Sequence, residues 1–415
     1  MKTLHRPSIV LILMAGLLSC HSQTEAPNRI EKRPPEIQGG GTAGDANPTA
    51  QSPSSNSLPQ GSGNVGGLSS ASKFVLLAGT SEQIGSQQGT VFKVEIKSLL
   101  ETWLEPKLNG FSTSGALVAT SMSTTMSKYL TKDMQTEVDA VAKASGVAST
   151  RVMIANDAAD IMELVSANNF FGCSTLTIAP SRSETQAMLI GRNLDYDESE
   201  VLRSAWRPVV FARTGKHKIF SVHIPGLSTV LTGINEKGVF MAIKVSTGKT
   251  TRNGMPSGFI FRSILETANT ALEAVDLYKK QKRTVALNVT IADGKDAFEL
   301  EADSVSTGVR TFSTKGTLYG ANHFELASMR GSSENRDSRW SKLASLDAKP
   351  TPINLADVKQ VISQAGGFGS DPSTNVLAVF VDYKAREIIY GSDPKGLGKA
   401  ASGELLTFRF DDIFK

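Results

Sequence analysis

Cysteine is nearly absent from this chain. There are two in 415 residues, Cys20 and Cys173, so no disulfide framework holds the fold. Histidine is scarce too. Of five, only His217, His223 and His323 lie beyond the first seventy residues, which with one cysteine argues against a structural zinc site. No metal and no organic cofactor is called for. Neither sign of charge dominates: 44 Lys and Arg stand against 40 Asp and Glu, a formal net charge of +4 scattered along the chain. That balance excludes the basic footprint of a nucleic-acid binder, and Lys279-Lys280-Gln281-Lys282-Arg283 reads as a solvated helix end. Several catalytic signatures are missing as well. No Gly-x-Ser-x-Gly elbow occurs; Gly248-Lys249-Thr250 has Ile243 where a phosphate-binding loop needs its first glycine; and the Ser-x-x-Lys matches at Ser70 and Ser246 lack companion motifs.

What is present begins with an export signal. Lys2 and Arg6 precede an apolar run, Ile9 to Leu18, that is short for a membrane span and ends in Leu17-Leu18-Ser19-Cys20. This is the lipobox pattern of bacterial lipoproteins, in which the cysteine thiol carries the lipid and residues 1–19 are removed. The expectation is a protein of the bacterial cell envelope tethered to a membrane through Cys20, without a transmembrane helix; His21 rather than Asp favours an outer membrane. Residues 20–72 are rich in Gly, Ser, Pro, Asn and Gln and too poor in large apolar residues to fold, so they read as a disordered tether.

Periodicity divides the remainder at Cys173. From Glu82 to Ala144 apolar residues recur at three and four, a second helical run starts near Thr150 and carries Asn156, and residues 73–172 read as a helical part. After Cys173 come short β-rich runs at Ser174 to Ala179, Ala187 to Arg192, Pro208 to Ala212, Lys218 to His223, Thr229 to Gly233 and Gly238 to Lys244. Helices follow at Phe259 to Asn269 and Ala271 to Lys282, and strands at Val285 to Ala292 and Ala297 to Glu301. Further helices are expected around Arg336 to Leu346 and Leu355 to Gln364, and a strand pair, Val376 to Asp382 and Glu387 to Gly391, near the end. Strands, helices, then strands predict two packed antiparallel sheets with helices outside.

The remaining chemistry centres on Cys173. An unpaired thiol near its reference pKa of about 8.5 needs activation to act as a nucleophile. A papain-like pairing with His323 or His223 is one route. The other uses the chain itself: cutting Gly172–Cys173 gives Cys173 a free α-amine with a reference pKa of about 7.7–8.0, one residue from the thiol. Attack of the thiol on the Gly172 carbonyl can make that cut, and glycine leaves the carbonyl sterically open.

The neighbouring motifs favour the second route. Gly172-Cys173-Ser174-Thr175-Leu176, a strand, and then Gly191-Arg192-Asn193-Leu194-Asp195-Tyr196 resemble the N-terminal-nucleophile hydrolases of the linear-amide group. The resemblance is strongest to the acyl-coenzyme A:6-aminopenicillanic acid acyltransferase (peptidase C45) family, and weaker to bile-salt hydrolases, penicillin V acylases and acid ceramidase. Leu77 to Gly89, Ala144-Ser145-Gly146-Val147, Asn235-Glu236-Lys237-Gly238 and Ala321-Asn322-His323-Phe324 are similar to further motifs of that family, in the same order.

The resemblance implies a four-layer αββα sandwich, with the chain cut at Gly172–Cys173 into a helical piece and a catalytic piece, 173–415. It implies Cys173 as nucleophile, Arg192 and Asp195 as the flanking Arg-x-x-Asp pair, Asn322 as an oxyanion donor and Arg339 as a supporting arginine. Val245 stands where bile-salt hydrolases have a second oxyanion asparagine, so that donor is left open. Pro180 to Gln186 lengthens the first hairpin and is expected to border the substrate entrance. The implied activity is hydrolysis of a linear non-peptide C–N bond in a small N-acyl amine or N-acyl amino acid, through a thioester. Acyl transfer to an amine, and a lipoprotein that only binds its ligand, remain as alternatives. Oligomeric state is not legible.

Overall fold

The computed structural model describes residues 74–111, 114–165, 172–196, 199–246, 252–330, 338–367 and 374–415. The export signal, Cys20 and the polar stretch after it lie outside the described residues. A strand, β1 (Val75–Gly79), leads to α1 (Ser81–Val91), which starts at a reciprocal capping box between Thr80 and Gln83. Then α2 (Lys93–Leu99) runs through a π-helical turn, Leu100–Leu104, into α3 (Glu105–Phe111). The part before Cys173 is completed by α4 (Gly115–Met126), α5 (Lys132–Ser145) and α6 (Ser149–Val165). Glycine sets how closely α1 approaches α5. A Cβ on Gly85 would lie 2.2 Å from the Glu137 carbonyl oxygen, and one on Gly89 2.5 Å from that of Val141.

From Gly172 onward the order is β2 (Gly172–Ile178), β3 (Leu189–Asp195), α7 (Glu200–Ala205), β4 (Arg207–Arg213), β5 (Ile219–His223), β6 (Thr232–Asn235) and β7 (Phe240–Val245). Two helices, α8 (Ser257–Leu265) and α9 (Ala271–Lys279), precede β8 (Leu287–Ala292), β9 (Ala297–Ala302), β10 (Thr307–Arg310) and β11 (Thr317–Gly320). The chain closes with α10 (Trp340–Leu343), α11 (Leu355–Ala365), β12 (Asn375–Asp382), β13 (Glu387–Ser392), β14 (Leu405–Arg409) and α12 (Phe410–Ile413).

These strands make two sheets. The eight-stranded sheet has the order β1-β4-β5-β6-β7-β8-β9-β10 and the six-stranded sheet β11-β2-β3-β12-β13-β14. Period-2 alternation gives each strand of the smaller sheet two apolar faces. Cys173, Ile190, Leu194, Val379 and Val381 join the core shared with the other sheet. Leu176, Leu189, Ala378 and Phe380 turn the other way and pack with Val358 and Ile362 of α11. Because α8 and α9 pack against the eight-stranded sheet and α11 against the six-stranded one, the layers run helix, sheet, sheet, helix. This is the four-layer αββα sandwich that the family resemblance implies.

Three expectations need correction. The part before Cys173 is not wholly helical. Its β1 pairs in parallel with β4, Val75 opposite Val209, so one edge of the larger sheet is parallel rather than antiparallel. The run Phe74 to Ala78 is too short to show periodicity, but Leu77 is buried while Leu76 is exposed, as a one-sided edge strand requires. The helix expected from Arg336 to Leu346 is only α10 followed by a 3-10 segment, Ala344–Ala348, where Pro350 disfavours helical backbone at Lys349. Residues 331–337 lie outside the description. Strands β10, β11 and β14 were not legible, being four or five residues long.

Candidate active site

Cys173 is the second residue of β2. Alternation turns its side chain to the inner face along with Thr175, whose Oγ1 accepts a hydrogen bond from Thr290 Oγ1 on β8 at 2.8 Å. The thiol is 1% exposed and unbridged. Arg192 stands opposite Thr175 on β3 and shares that face. Its Nη2 lies 3.8 Å from Cys173 Sγ and donates to the Ile243 carbonyl at 3.0 Å, while Nη1 donates to the Asn193 carbonyl at 2.6 Å. Two carbonyls thus fix a fully buried cation beside the sulfur.

A second set of contacts serves the backbone of Cys173. Its N–H donates to Asn322 Oδ1 at 2.6 Å, and the same oxygen accepts from Arg339 Nη2 at 2.5 Å. Asn322 Nδ2 donates to the Val245 carbonyl at 2.7 Å, so donors on one side and an acceptor on the other fix the orientation of this amide. Arg339 Nη1 pairs with Asp195 Oδ2 at 2.6 Å. Asp195 Oδ1 in turn accepts from Asn375 Nδ2 at 2.7 Å and the Gly367 N–H at 2.9 Å. The carboxylate sits three residues beyond Arg192 on β3, and so on the opposite face of the sheet. Opposite it across the ladder is Gly172. The inner face therefore carries the sulfur and Arg192; the outer carries Asp195 and Arg339 beside the Gly172–Cys173 backbone.

Burial dominates the electrostatics. It pushes the Cys173 thiol above its ordinary value; Arg192 opposes this most strongly, Asp195 adds to it, and Arg339 and Lys244 act against it. Burial likewise raises the Asp195 carboxyl, against the pull of Arg339, Asn375 and Gly367. In the uncut chain the sulfur is therefore a protonated thiol at neutral pH. A base has to be supplied next to it.

The residues singled out from sequence meet here: Gly172, Cys173, Arg192, Asp195, Asn322 and Arg339 form one buried constellation. Asn322 is arranged differently from expectation, since its N–H is engaged by Val245 and its oxygen faces the Cys173 nitrogen. The histidine route has little support. Burial holds His223 neutral, its pKa lowered to about 3, with Nε2 2.8 Å from Gln88 Oε1. His323 lies 3.2 Å from Glu325 and against the Trp340 ring. The Pro180 to Gln186 loop does not border the site. It leaves the far end of β2, ~20 Å from Cys173 at ~3.3 Å per residue, and is tied to residues 349–353 by Arg182 and by a bridge from Ser183 to Ile353.

Three polar residues were missed. Asn375 holds both Asp195 and Asn193. Lys244 and Glu299 form a wholly buried pair at 2.5 Å, and Lys244 Nζ also donates to Thr290 Oγ1 at 2.7 Å, linking it through Thr290 to Thr175. The available signal was a charged residue within a strand run, Lys244 in Phe240–Val245 and Glu299 in Ala297–Ala302.

Past the end of β3 lies an almost wholly apolar cavity of about 50 Å³. Leu100, Trp103 and Met162 line it from before the cut position, Tyr196, Trp206 and Leu231 from after it. Tyr196 directly follows Asp195. The Leu231 carbonyl accepts from the Ile243 N–H, and the Ile243 carbonyl accepts from Arg192.

Known proteins resemble this chain in sequence and in fold. Residues 181–354 match the family model "Acyl-coenzyme A:6-aminopenicillanic acid acyl-transferase". An N-acylethanolamine-hydrolyzing acid amidase of Caenorhabditis elegans is 28% identical over 163 residues, which cover 37% of this chain and 45% of that protein. The chain thus spans about half the length of the curated relative it matches. Among solved structures, a Caenorhabditis elegans ortholog of that amidase overlaps 50% of this chain and 92% of its own at a TM-score of 0.40 and 18% identity. A mutant conjugated bile acid hydrolase from Clostridium perfringens overlaps 58% and 92% at 0.39 and 12%. Penicillin V acylase of Agrobacterium tumefaciens overlaps 59% and 88% at 0.39 and 13%.

Proposed function

We propose that this chain, whose segment 181–354 matches the acyl-coenzyme A:6-aminopenicillanic acid acyl-transferase family, is a self-processing N-terminal-cysteine amidase acting on N-acyl amines or N-acyl amino acids. The observation that carries the reading is the Cys173 N–H held on Asn322 Oδ1 at 2.6 Å while Arg192 Nη2 lies 3.8 Å from the sulfur of the same residue. Backbone nitrogen and side chain of one cysteine are thus each given a fixed polar partner. Any buried backbone N–H needs an acceptor, but a merely structural cysteine needs no guanidinium beside its sulfur.

In the first step the Cys173 thiol adds to the Gly172 carbonyl and the peptide nitrogen leaves with a proton. The resulting thioester is hydrolysed, giving a Gly172 carboxylate and a free Cys173 amine. That amine, held by Asn322 Oδ1, then serves as base. It takes the thiol proton, the thiolate attacks the acyl carbonyl of the substrate, and the proton passes to the departing amine. Arg192 stabilises the thiolate in a site from which water is excluded. Water resolves the thioester and regenerates the amine. The cavity past the end of β3 is the place for an apolar acyl chain.

Acyl transfer differs only in what resolves the thioester. Incubating the processed protein with an N-acyl amine, with and without a competing primary amine, separates the two by product. Free acid in both cases supports hydrolysis, and a new amide supports transfer. Processed protein that forms no thioester with any N-acyl amine would leave a ligand-binding lipoprotein. Tethering to the cell envelope through a lipid on Cys20 remains part of the proposal, supported by the Leu17-Leu18-Ser19-Cys20 pattern. Among the described residues no helix is long and apolar enough to cross a membrane. The mass of the N-terminal peptide, with Cys20 against Ser at that position, tests the tether.

A further inference from the structure

Three side chains on neighbouring strands of the larger sheet, Lys244 on β7, Thr290 on β8 and Glu299 on β9, form a buried polar cluster that faces the smaller sheet. Lys244 Nζ meets Glu299 Oε1 at 2.5 Å and donates to Thr290 Oγ1 at 2.7 Å, with both charged side chains 0% exposed. The cluster reaches across. Thr290 Oγ1 is hydrogen-bonded at 2.8 Å to Thr175 Oγ1, two residues along β2 from Cys173. Beside Thr175 on β11 stands Gly320, where a Cβ would lie 2.3 Å from Glu299 Oε1 and 2.6 Å from Lys244 Cε. On its other side, on β3, stands Arg192. The ion pair therefore rests on Gly320 and Thr175, one strand from the guanidinium that faces the sulfur.

Strand β7 also anchors both partners of Cys173. Its register with β6 runs only to Ala242, and the next two carbonyls on that side, those of Ile243 and Val245, accept from Arg192 and from Asn322. Lys244 is the residue between them. Stability alone does not account for an ion pair here. Burying two ions forfeits solvation that their attraction about offsets, so apolar side chains of similar volume often serve a core as well or better. What the pair adds is direction, because its hydrogen bonds fit one arrangement of the surrounding strands.

We infer that Lys244 and Glu299 are positioning residues for Cys173: through Thr290 and Thr175 the pair seats β2 on the larger sheet, so that the sulfur meets Arg192 while the Cys173 nitrogen meets Asn322. This rests on the amidase reading for the reaction that the seating serves. The seating itself rests on the contacts alone. Loosening it lets the sulfur drift from Arg192, the strongest influence opposing burial, so the thiol titrates higher. It also misplaces the nucleophile against the acyl carbonyl, which lowers kcat about tenfold or more for a shift of part of an ångström and leaves binding of the apolar chain, and so KM, nearly unchanged.

The test uses the full chain with Cys20→Ser as parent, which leaves Cys173 as the only thiol. Thr175→Val cuts the link and keeps the ion pair whole, while Lys244→Met combined with Glu299→Gln removes both charges and orphans neither. Thr177→Val is the control, since alternation puts Thr177 on the same face of β2 and its buried hydroxyl has no hydrogen-bond partner. The pH midpoint of iodoacetamide alkylation should rise by about half a unit or more in Thr175→Val and in the double variant. On acyl p-nitroanilides from acetyl to dodecanoyl, kcat should fall about tenfold or more with KM changed less than about twofold. Thr177→Val should match the parent in both. A purely structural pair would lower the melting temperature and leave the midpoint in place. The inference is overturned if Thr175→Val, or a folded double variant, keeps the midpoint or the kcat of an active parent, or if Thr177→Val moves them as much. A parent that cleaves none of the anilides sinks the amidase reading, and the alkylation midpoints still decide this inference; full cleavage with unmoved midpoints sinks this inference and leaves the amidase reading standing.

Discussion

Removing Arg339 perturbs the structure around Cys173 in a way that can be worked through. Its guanidinium joins Asp195 Oδ2 at 2.6 Å and Asn322 Oδ1 at 2.5 Å, with the side chains of Arg339 and Asp195 4% and 0% exposed. In Arg339→Met, made in a Cys173→Ala background so that cutting does not intervene, Asp195 keeps only Asn375 and the Gly367 N–H. A buried carboxylate stripped of its cation costs about 3–5 kcal/mol. With a urea slope of ~3 kcal/mol/M, that lowers the unfolding midpoint by roughly 1–1.7 M. Arg339 pulls the Asp195 pKa down, so its removal lets the carboxyl take a proton more readily. The deficit should therefore be large at neutral pH and shrink as pH falls and Asp195 is protonated. Adding Asp195→Asn should restore about 1–3 kcal/mol, a coupling that separate sites do not show. Single-variant losses below about 1 kcal/mol that simply add within about 0.5 kcal/mol would refute a buried, coupled pair.

Other consequences follow from named contacts. Arg192 is the strongest influence holding the Cys173 thiol down against burial, so Arg192→Met in uncut protein should move the pH midpoint of iodoacetamide alkylation upward; an unchanged midpoint would remove Arg192 from any role in forming thiolate. Glu163 is raised by burial, and secondarily by Asp160, to about 7 from 4.5. Its native state binds the extra proton between those values, so it is stabilising below pH 4.5 and that contribution is lost as pH rises to about 7, by at most about 3 kcal/mol. Glu163→Gln should flatten that slope in urea unfolding measured from about pH 4.5 to 7.5, and an identical slope would be contrary. Gly85→Ala puts a Cβ 2.2 Å from the Glu137 carbonyl oxygen, so α1 must move off α5 at about 1–3 kcal/mol, read as a lower melting temperature rather than the gain that alanine gives in an exposed helix.

How far the sequence could be read depended on what each feature rests on. The strand runs after Cys173 were visible because both faces of the sheet are buried, and Leu, Ile, Val and Phe accumulate whichever way they point. Edge strands such as β1 and β11 were not, because their pairing depends on distant partners rather than local pattern. Of the site, Cys173 was legible as an unpaired thiol, whereas Arg192 and Asp195 were marked only by the family likeness. Asn322 and Arg339 needed a family likeness, since 149 residues separate Asn322 from Cys173 and only the fold brings them together. Asn375 and the Lys244 and Glu299 pair were invisible for a related reason. A buried charge looks like a solvated one until its partner across the sheet is known. The hairpin loop after β2 shows the opposite error, where an unusual local sequence suggested proximity that the length of a strand forbids.

The bond between Gly172 and Cys173 is the most direct point of attack. Purified wild-type protein subjected to N-terminal sequencing and intact mass measurement should yield two pieces, one beginning at Cys173, while Cys173→Ala remains a single chain. A wild-type chain that stays whole yet cleaves N-acyl amines would contradict the amine-base mechanism and return the task of activating Cys173 to a histidine.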